Sequence, residues 1–318
     1  MGLFDYLGRF LNREKRRKFK KGDPNQEVDL EVLYEETLKR EQAKVPDIIE
    51  EEMLIHVNPA HIVNGVYEVP ESAIRIASWA FSECKDLEVV KLHKDFRYIS
   101  EQAFDRCKRL KRVEIDKDNE TMKTIGGFVG CESLETIEIP ETVQVVGWSA
   151  FSGCKKLKEI KLPNSCWAIS PFAFANCESL TQFKMPASIT LVNATAFEGC
   201  FNLNVIFSDY SKYDDLGFFD IELEDEVVEY PAGDVVIEEG ALDDVASVTC
   251  FDESTFSKVL ASGYSGKIIF ANSEEENAIG IDLVEMKKQI EQQKSLGEWF
   301  LNKNKINVIK LKAINKIS

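Results

Sequence analysis

The sequence predicts an elongated α/β repeat protein, a stack of about eight turns of roughly 23 residues each. Three apolar columns indicate this class: a phenylalanine recurs once in each period, a cysteine follows it three residues later, and a leucine stands three further on. No single turn can bury these side chains alone, so neighbouring turns must stack and bury them as continuous columns. The columns are Phe81, Phe104, Phe128, Phe151, Phe174 and Phe197; Cys84, Cys107, Cys131, Cys154, Cys177 and Cys200; and Leu87, Leu110, Leu134, Leu157, Leu180 and Leu203.

The period continues more weakly towards the C-terminus. Phe219 follows Phe197 after 22 residues, and Leu242 follows Phe219 after 23. Terminal repeats of a stack face different neighbours and diverge more readily. We therefore predict eight turns, from about Tyr67 to about Phe251, with the last two eroded.

One turn can be followed residue by residue. Ile137 and Ile139 alternate with Thr136 and Glu138 and are followed by a proline, which is typical of a short strand. A second apolar segment follows in each turn. Good helix N-cap residues stand four residues before most of the phenylalanines, which predicts a single helical turn there. Glycine or asparagine precedes the cysteine in four turns and favours a left-handed stop, at Gly130, Gly153, Asn176 and Gly199.

The unit L-x-x-I-x-I-P followed by I-x-x-x-A-F-x-x-C resembles the BspA-like class of leucine-rich repeats, over about Tyr67 to Phe251. The resemblance implies a right-handed solenoid with a parallel sheet on one face, closed at its C-terminal end by a further element. It also implies binding to other proteins or to extracellular matrix, as in bacterial surface proteins. No cofactor is implied.

Composition and charge divide the chain around this central module. Residues 1–25 are a basic amphipathic segment, and 26–65 are predicted to form a helical cap with apolar residues sharing a face. The solenoid takes residues 66–253. A C-terminal cap of helix and strand takes 254–276, and 277–318 are predicted to form an amphipathic helix and a basic tail.

The net charge and the hydropathy of the chain argue against some classes of function. Acidic residues outnumber basic ones 55 to 39, a net charge of −16, which argues against nucleic acid as the main ligand. No apolar stretch approaches the ~18 residues of a membrane span, and the N-terminus has its apolar part before its basic part, the reverse of a secretory signal. These features favour a cytoplasmic protein, with peripheral membrane contact left open and display at the cell surface as the alternative.

The residues do not predict a catalytic or metal site. The cysteines occupy a fixed repeat position or stand alone at Cys166 and Cys250, without the C-x-x-C pairs of zinc sites, so we expect a ladder of buried, reduced thiols. The three histidines do not stand at ligand spacing. The segment Gly263–Lys267 resembles a phosphate loop but lacks the required glycine spacing and the Ser or Thr. A non-catalytic protein-binding scaffold is the first hypothesis, an adhesion protein the second, and an enzyme with a site in the flanking segments a remote third.

The outward columns of the predicted strands would form the concave face of the sheet, and they are expected to continue as far as Val205 and Phe207. Their charges alternate in sign, with Lys91 beside Glu114 and Glu138 beside Lys161. This pattern fits either a mixed-charge recognition face for a protein partner or cross-strand pairing that keeps the sheet soluble. The candidate partner-binding residues are Lys91, Arg112, Glu114, Thr136, Glu138, Glu159, Lys161, Gln182 and Lys184.

The first 21 residues carry eight basic and two acidic side chains beside an apolar stripe. This composition is typical of an anchor on anionic lipid, although a solvated tail or an intramolecular cap over the acidic residues 22–73 has the same composition. The candidate membrane-contact residues are Phe4, Leu7, Phe10, Arg16, Arg17 and Lys18.

If residues 1–21 anchor the protein, it should co-sediment with anionic vesicles, and the bound fraction should fall as salt rises because salt screens the attraction. A protein lacking residues 1–21 is the control. Equal sedimentation of the two proteins would leave this segment as ordinary solvated chain.

Overall fold

A computed structural model describes residues 46–82, 84–208, 218–223, 226–231, 235–270 and 279–282. Most of these residues form a β-solenoid of about eight circuits of one repeat each, with little helix. We call one circuit a rung. The strands are β1 (Ile48–Glu50), β2 (Met53–His56), β3 (Val66–Glu68), β4 (Arg75–Ile76), β5 (Val89–Leu92), β6 (Tyr98–Ile99), β7 (Arg112–Ile115), β8 (Thr124–Ile125), β9 (Thr136–Ile137), β10 (Val145–Val146), β11 (Ala168–Ile169), β12 (Gln182–Lys184), β13 (Leu191–Val192), β14 (Asn204–Ile206), β15 (Phe218–Leu223), β16 (Glu226–Pro231), β17 (Val236–Ile237), β18 (Ser247–Cys250), β19 (Lys267–Phe270) and β20 (Ile279–Asp282). One α-helix, α1 (Glu253–Ala261), and a 3-10 turn (Pro59–His61) complete the described elements.

Each rung contributes two short strands to two separate series of parallel strands. The first series runs through β3, β5, β7 and β9, and resumes at β12, β14, β18 and β19. The second series runs through β2, β4 and β6, and then through β8, β10, β11, β13 and β17. Partners are one period apart, so Val113 lies opposite Val90 and Val146 opposite Ile125. The core lies between the two series.

The predicted phenylalanine column is a continuous stack of buried rings. Between Phe104 and Phe197, consecutive rings lie 5.3 to 5.6 Å apart with interplanar angles of 9° to 13°. Such offset stacks contribute beyond the apolar area they bury. Each ring therefore depends on the rung before it and the rung after it.

The cysteine column runs beside the rings and forms its own hydrogen-bond ladder. The Cys131 thiol donates to the Phe104 carbonyl oxygen over 3.3 Å, and the Cys200 thiol donates to the Phe174 oxygen over 3.1 Å. All eight cysteines are buried free thiols. Burial is the largest cause that raises the pKa of Cys107 to about 12 and that of Cys200 to about 11, so these groups stay protonated at neutral pH.

The prediction of a helical turn before each phenylalanine is wrong. In five of the six turns the residue two positions before the phenylalanine has a left-handed backbone, as in Trp79 with φ 58° and Phe172 with φ 57°, and a right-handed helix cannot pass through it. The segments are hydrogen-bonded turns instead, and Thr124, one of the expected caps, belongs to β8. The predicted left-handed position before the cysteine is confirmed at Gly130, Gly153, Asn176 and Gly199.

The helical N-terminal cap is also wrong where the structure describes it. Strands β1 and β2 form an antiparallel hairpin around Glu51 and Glu52, whose φ values of 48° and 62° suit a tight hairpin turn. Strand β2 then pairs in parallel with β4 and continues the second series by one strand. An open sheet edge leaves backbone groups unpaired, and a strand satisfies them where a helix cannot. Residues 26–45 lie outside the described part.

At the other end the structure has a helix and a strand, α1 and β19, in the segment predicted to form a C-terminal cap. Asp252 caps the helix by accepting a hydrogen bond from the Thr255 N–H over 2.7 Å. The amphipathic helix predicted to begin near Ile279 is wrong over 279–282, because β20 pairs antiparallel with β19 there. The rest of that prediction, and the basic tail, lie outside the described residues.

The predicted turn around Phe219 is not part of the stack. Strand β13 pairs directly with β17, and β14 pairs directly with β18, so β15 and β16 take no part in the two strand series and pair antiparallel with each other. The stack instead gains a rung at its N-terminal end. There the Val57 N–H donates to the Ala80 oxygen over 3.0 Å, as the Phe81 N–H donates to the Ala103 oxygen one rung later.

Phe151→Ala should cost about 3–5 kcal/mol of unfolding free energy, because it opens a cavity in the middle of the ring stack. Phe201→Ala is the matched control, since this ring is 69% exposed and its loss should stay within about 0.5 kcal/mol. Urea denaturation followed by circular dichroism measures both values. Similar losses for the two variants would contradict the stacked core.

Thiol titration should find eight sulfhydryls in denaturant and slow reaction in the native protein, because all eight are buried. The raised pKa values make the folded thiols weaker acids than the unfolded ones. Their stabilising contribution is therefore complete below the unfolded pKa of about 8.5 and is lost as pH rises towards the folded values.

The unfolding free energy at about pH 10 should accordingly be smaller than at about pH 8, and replacing Cys131 with alanine should reduce that difference. Two or fewer titratable thiols in denaturant, or fast reaction in the native state, would contradict the ladder.

Candidate functional site

The outward side chains of the first strand series form one continuous surface, which we call the strand face. It comprises β3, β5, β7, β9, residues 159–161, β12, β14 and β18. Along each strand, inward residues such as Val113 and Ile137 enter the core, while the residues between them face outward because side chains alternate. All nine predicted partner-binding residues lie on this face, and eight are exposed while Lys91 is half-buried.

The strand register brings the predicted neighbours together. Lys91 pairs with Glu114 across β5 and β7, and an isolated parallel bridge joins Glu138 to Lys161. Further along, the expectation that Val205 and Phe207 point outward is wrong, because both are buried. The register of β12 with β14 aligns the exposed Lys184 with Ile206 instead, so the alternation places Val205 and Phe207 in the core.

In the first rungs, charged side chains form ion pairs with one another. Lys91 binds Glu68 across adjacent strands over 2.5 Å, and Arg112 binds Glu114 within its own strand over 3.1 Å. At the rim of the face, Glu88 accepts from Lys111 over 2.7 Å and from Arg109 over 2.6 Å. These two hydrogen bonds, with the one from Lys111 the larger cause, lower the pKa of the Glu88 carboxyl.

The charged side chains of the middle rungs are not paired in this way. Among the residues that the structure describes, no ion pair engages Glu138, Glu159, Lys161 or Lys184, although all four are exposed. Lys155, in the turn before residues 159–161, binds Glu178 over 3.1 Å, an interaction that raises its pKa. The charged groups at the centre of the face are therefore open to solvent or to a partner.

A shallow depression lies at this centre. It has a volume of about 330 Å³ and its lining includes Thr136, Glu138, Glu159 and Lys161, four of the nine predicted residues. The sheet is interrupted here, because β9 has only two residues and residues 159–161 keep one isolated bridge, from Lys161 to Glu138 just after β9. A second depression of about 400 Å³ brings Lys91 and Glu114 together beside His93.

A side-chain cluster at the N-terminal end was not predicted. Asp47 accepts hydrogen bonds from the Tyr67 hydroxyl and the Asn58 N–H, both over 2.6 Å, and lies 3.0 Å from His61 Nδ1. Burial, followed by the hydrogen bond to Asp47, raises the pKa of Tyr67. The carboxylate thereby fastens β1, the 3-10 turn and β3 to one another. Nothing in the spacing of these residues distinguished them beforehand.

The described residues hold no group of three or more histidine, cysteine or acidic side chains able to bind a metal ion. Within the same part of the chain, every helix is too short or too polar to cross a bilayer. The candidate membrane-contact residues Phe4, Leu7, Phe10, Arg16, Arg17 and Lys18 all lie outside it.

Comparison with known proteins gives the family. The description "BspA type Leucine rich repeat region" matches six repeat copies over residues 66–128 and 125–212. The central part of this chain belongs to the BspA-type leucine-rich repeat family. The expected resemblance is thereby confirmed over this range, and the match ends near the excursion that carries β15 and β16.

Solved structures similar to the chain are bacterial leucine-rich repeat proteins. A leucine-rich repeat protein of T. pallidum is 27% identical, with 51% of this chain and 78% of that chain covered and a TM-score of 0.45. A leucine-rich cell surface protein of Faecalibacterium prausnitzii is 23% identical, with 64% and 67% covered and a TM-score of 0.39. The pneumococcal vaccine antigen PcpA is 17% identical, with 65% and 68% covered and a TM-score of 0.36. No curated protein matches the chain.

Proposed function

We propose that this protein is a non-catalytic scaffold that binds another protein through the strand face of its leucine-rich repeats. One contrast carries the proposal. Charged side chains of the first rungs form ion pairs with one another, such as Lys91–Glu68. In the middle rungs, Glu138 and Lys161 are exposed and form no ion pair within the described residues. Exposed charges held on a rigid surface select partners by electrostatic complementarity.

The scaffold beneath these charges favours recognition. Glu138 and Lys161 lie next to the buried Ile137 and Ile160, which are anchored in a core continuous from rung to rung. A partner therefore meets positions that are already ordered, and binding loses less conformational entropy than on a mobile loop.

The location of the protein is a separate proposal. Eight buried thiols agree with a reducing compartment and support a cytoplasmic location. Display at the cell surface is the alternative, which the family resemblance implies. Contact of the N-terminal segment with anionic membranes stays a prediction from the sequence.

The double reversal Glu138→Lys with Lys161→Glu should abolish retention of the protein partner by the immobilised protein. The exchange keeps net charge but inverts the sign pattern that the partner meets. Stability should change by less than about 1 kcal/mol, because exposed pairs contribute little. Proteins retained from native lysate by the wild type and by the variant are compared by mass spectrometry.

Ile137→Asp is the folding control. It places an unpaired charge at a core position that is 5% exposed, and the array should unfold. An unchanged set of retained proteins on a folded double variant would place binding away from the middle of the strand face.

A further inference from the structure

We propose that the strand face is self-complementary and that its partner is a second, antiparallel copy of the same chain. This inference rests on the proposed function, since it names the occupant of the same face. The observation behind it is the order of charges along one outward column, which reads acid, acid, base, base.

The column consists of Glu114, Glu138, Lys161 and Lys184 on four successive rungs. The register of β7 with β9, in which Val113 lies opposite Ile137, brings Glu138 next to Glu114. The bridge from Glu138 to Lys161 continues the column, and Lys184 follows one period later on β12. The four side chains are exposed.

A twofold axis parallel to the strands makes this column match itself. Rotation about that axis turns one face onto the other and reverses the order of rungs while leaving each column in place. Two acids followed by two bases then meet two bases followed by two acids. Glu138 faces Lys161 of the second copy, and Glu114 faces Lys184 of the second copy, with each contact made twice, as an isologous interface requires.

The neighbouring column tolerates the same arrangement. It carries Arg112, Thr136, Glu159 and Gln182 on the same four rungs. Under the rotation Thr136 faces Glu159, and Arg112 faces Gln182, so no like charges meet. On the next rungs outward, Lys91 faces Ile206, which is uncharged and half-buried.

The charges also select one register. A shift by one rung in one direction places Glu138 against Glu138 of the second copy, and a shift in the other direction places Lys161 against Lys161. Each shift keeps only two of the four opposite-charge contacts in this column and adds a like-charge contact, so both alternatives are less favourable. The axis is therefore confined to the gap between β9 and residues 159–161, where the central depression lies.

The groups that would pair are available. Glu138, Lys161 and Lys184 make no ion pair within the described residues, and Glu114, although held by Arg112, keeps 43% of its side chain exposed. Eight overlapping rungs span roughly 34 Å at the usual strand spacing. The contact is narrow and mostly polar, so we expect a weak dimer that dissociates as salt rises.

Sedimentation velocity of the full chain over a concentration series tests the proposal. The wild type should dimerise reversibly. Glu138→Lys and Lys161→Glu, taken singly, should each weaken dimerisation roughly tenfold or more, because each places like charges at two symmetric contacts. An equimolar mixture of the two single variants should dimerise again, since the first variant then presents two bases at the central positions and the second presents two acids.

The double variant, Glu138→Lys with Lys161→Glu, gives the most specific test. Its column carries acid, base, acid, base, so opposite charges still face each other when two copies of the variant meet, and it should dimerise like the wild type. Against a wild-type copy the two central positions place like charges together, so the mixed dimer should not form. Glu101→Lys and Lys123→Glu, exposed and outside the strands of the face, are charge-matched controls that should leave dimerisation unchanged. If circular dichroism shows that a reversal variant does not fold, Glu138→Gln and Lys161→Gln replace it, and a smaller loss of dimer affinity is expected.

A wild type that stays monomeric, or single reversals that dimerise as well as the wild type, would overturn this proposal. The outcome separates it from the proposed function. A monomer whose double variant still loses the retained partner refutes only the self-association. A monomer whose double variant retains the same proteins refutes recognition by the middle of the face altogether.

Discussion

The whole structure depends on one constraint: a single circuit of the chain has no core of its own. Six of the rungs each supply one phenylalanine, one cysteine and one leucine, and these become buried only when a neighbouring rung covers them. The rings of Phe151 and Phe174, 5.5 Å apart and nearly parallel, illustrate the result. The thiol ladder follows from the same geometry, since five cysteines in succession, from Cys107 to Cys200, each donate to a backbone carbonyl of the preceding rung.

This constraint also produces the strand face. Because the inward residues must keep their period, the outward residues between them keep it too, and chemically unrelated positions are aligned into columns. Lys91 then lies beside Glu114, and Glu138 beside Lys161. The first rungs neutralise their charges internally through pairs such as Lys91–Glu68, while the middle rungs leave theirs open. The face is therefore uneven in its charge pairing even though its backbone repeats.

The ends of the stack follow a different rule. A regular array must close its edges, and the chain does so with β-structure at both ends, through β1–β2 and through β19–β20. Asp47 reinforces the N-terminal closure by binding Tyr67 and Asn58. The interruption before β17 shows that the array also tolerates a long excursion, because β13 and β17 pair as though the intervening residues were absent.

The sequence alone determined the period, the buried columns of Phe, Cys and Leu, the left-handed glycines before the cysteines, the C-terminal helix and strand, and most outward positions of the strand face. These follow from local chemistry repeated many times, so each repeat confirms the others. The tertiary structure alone decided what happens where the repeat fails. Phe219 keeps nearly the right spacing but leaves the stack, and residues 48–56 adopt strands that an apolar pattern could not distinguish from helix. The tertiary structure also determined the ion pairs. Lys91 pairs with Glu68 and not with Glu114, because of side-chain geometry that the repeat spacing does not predict.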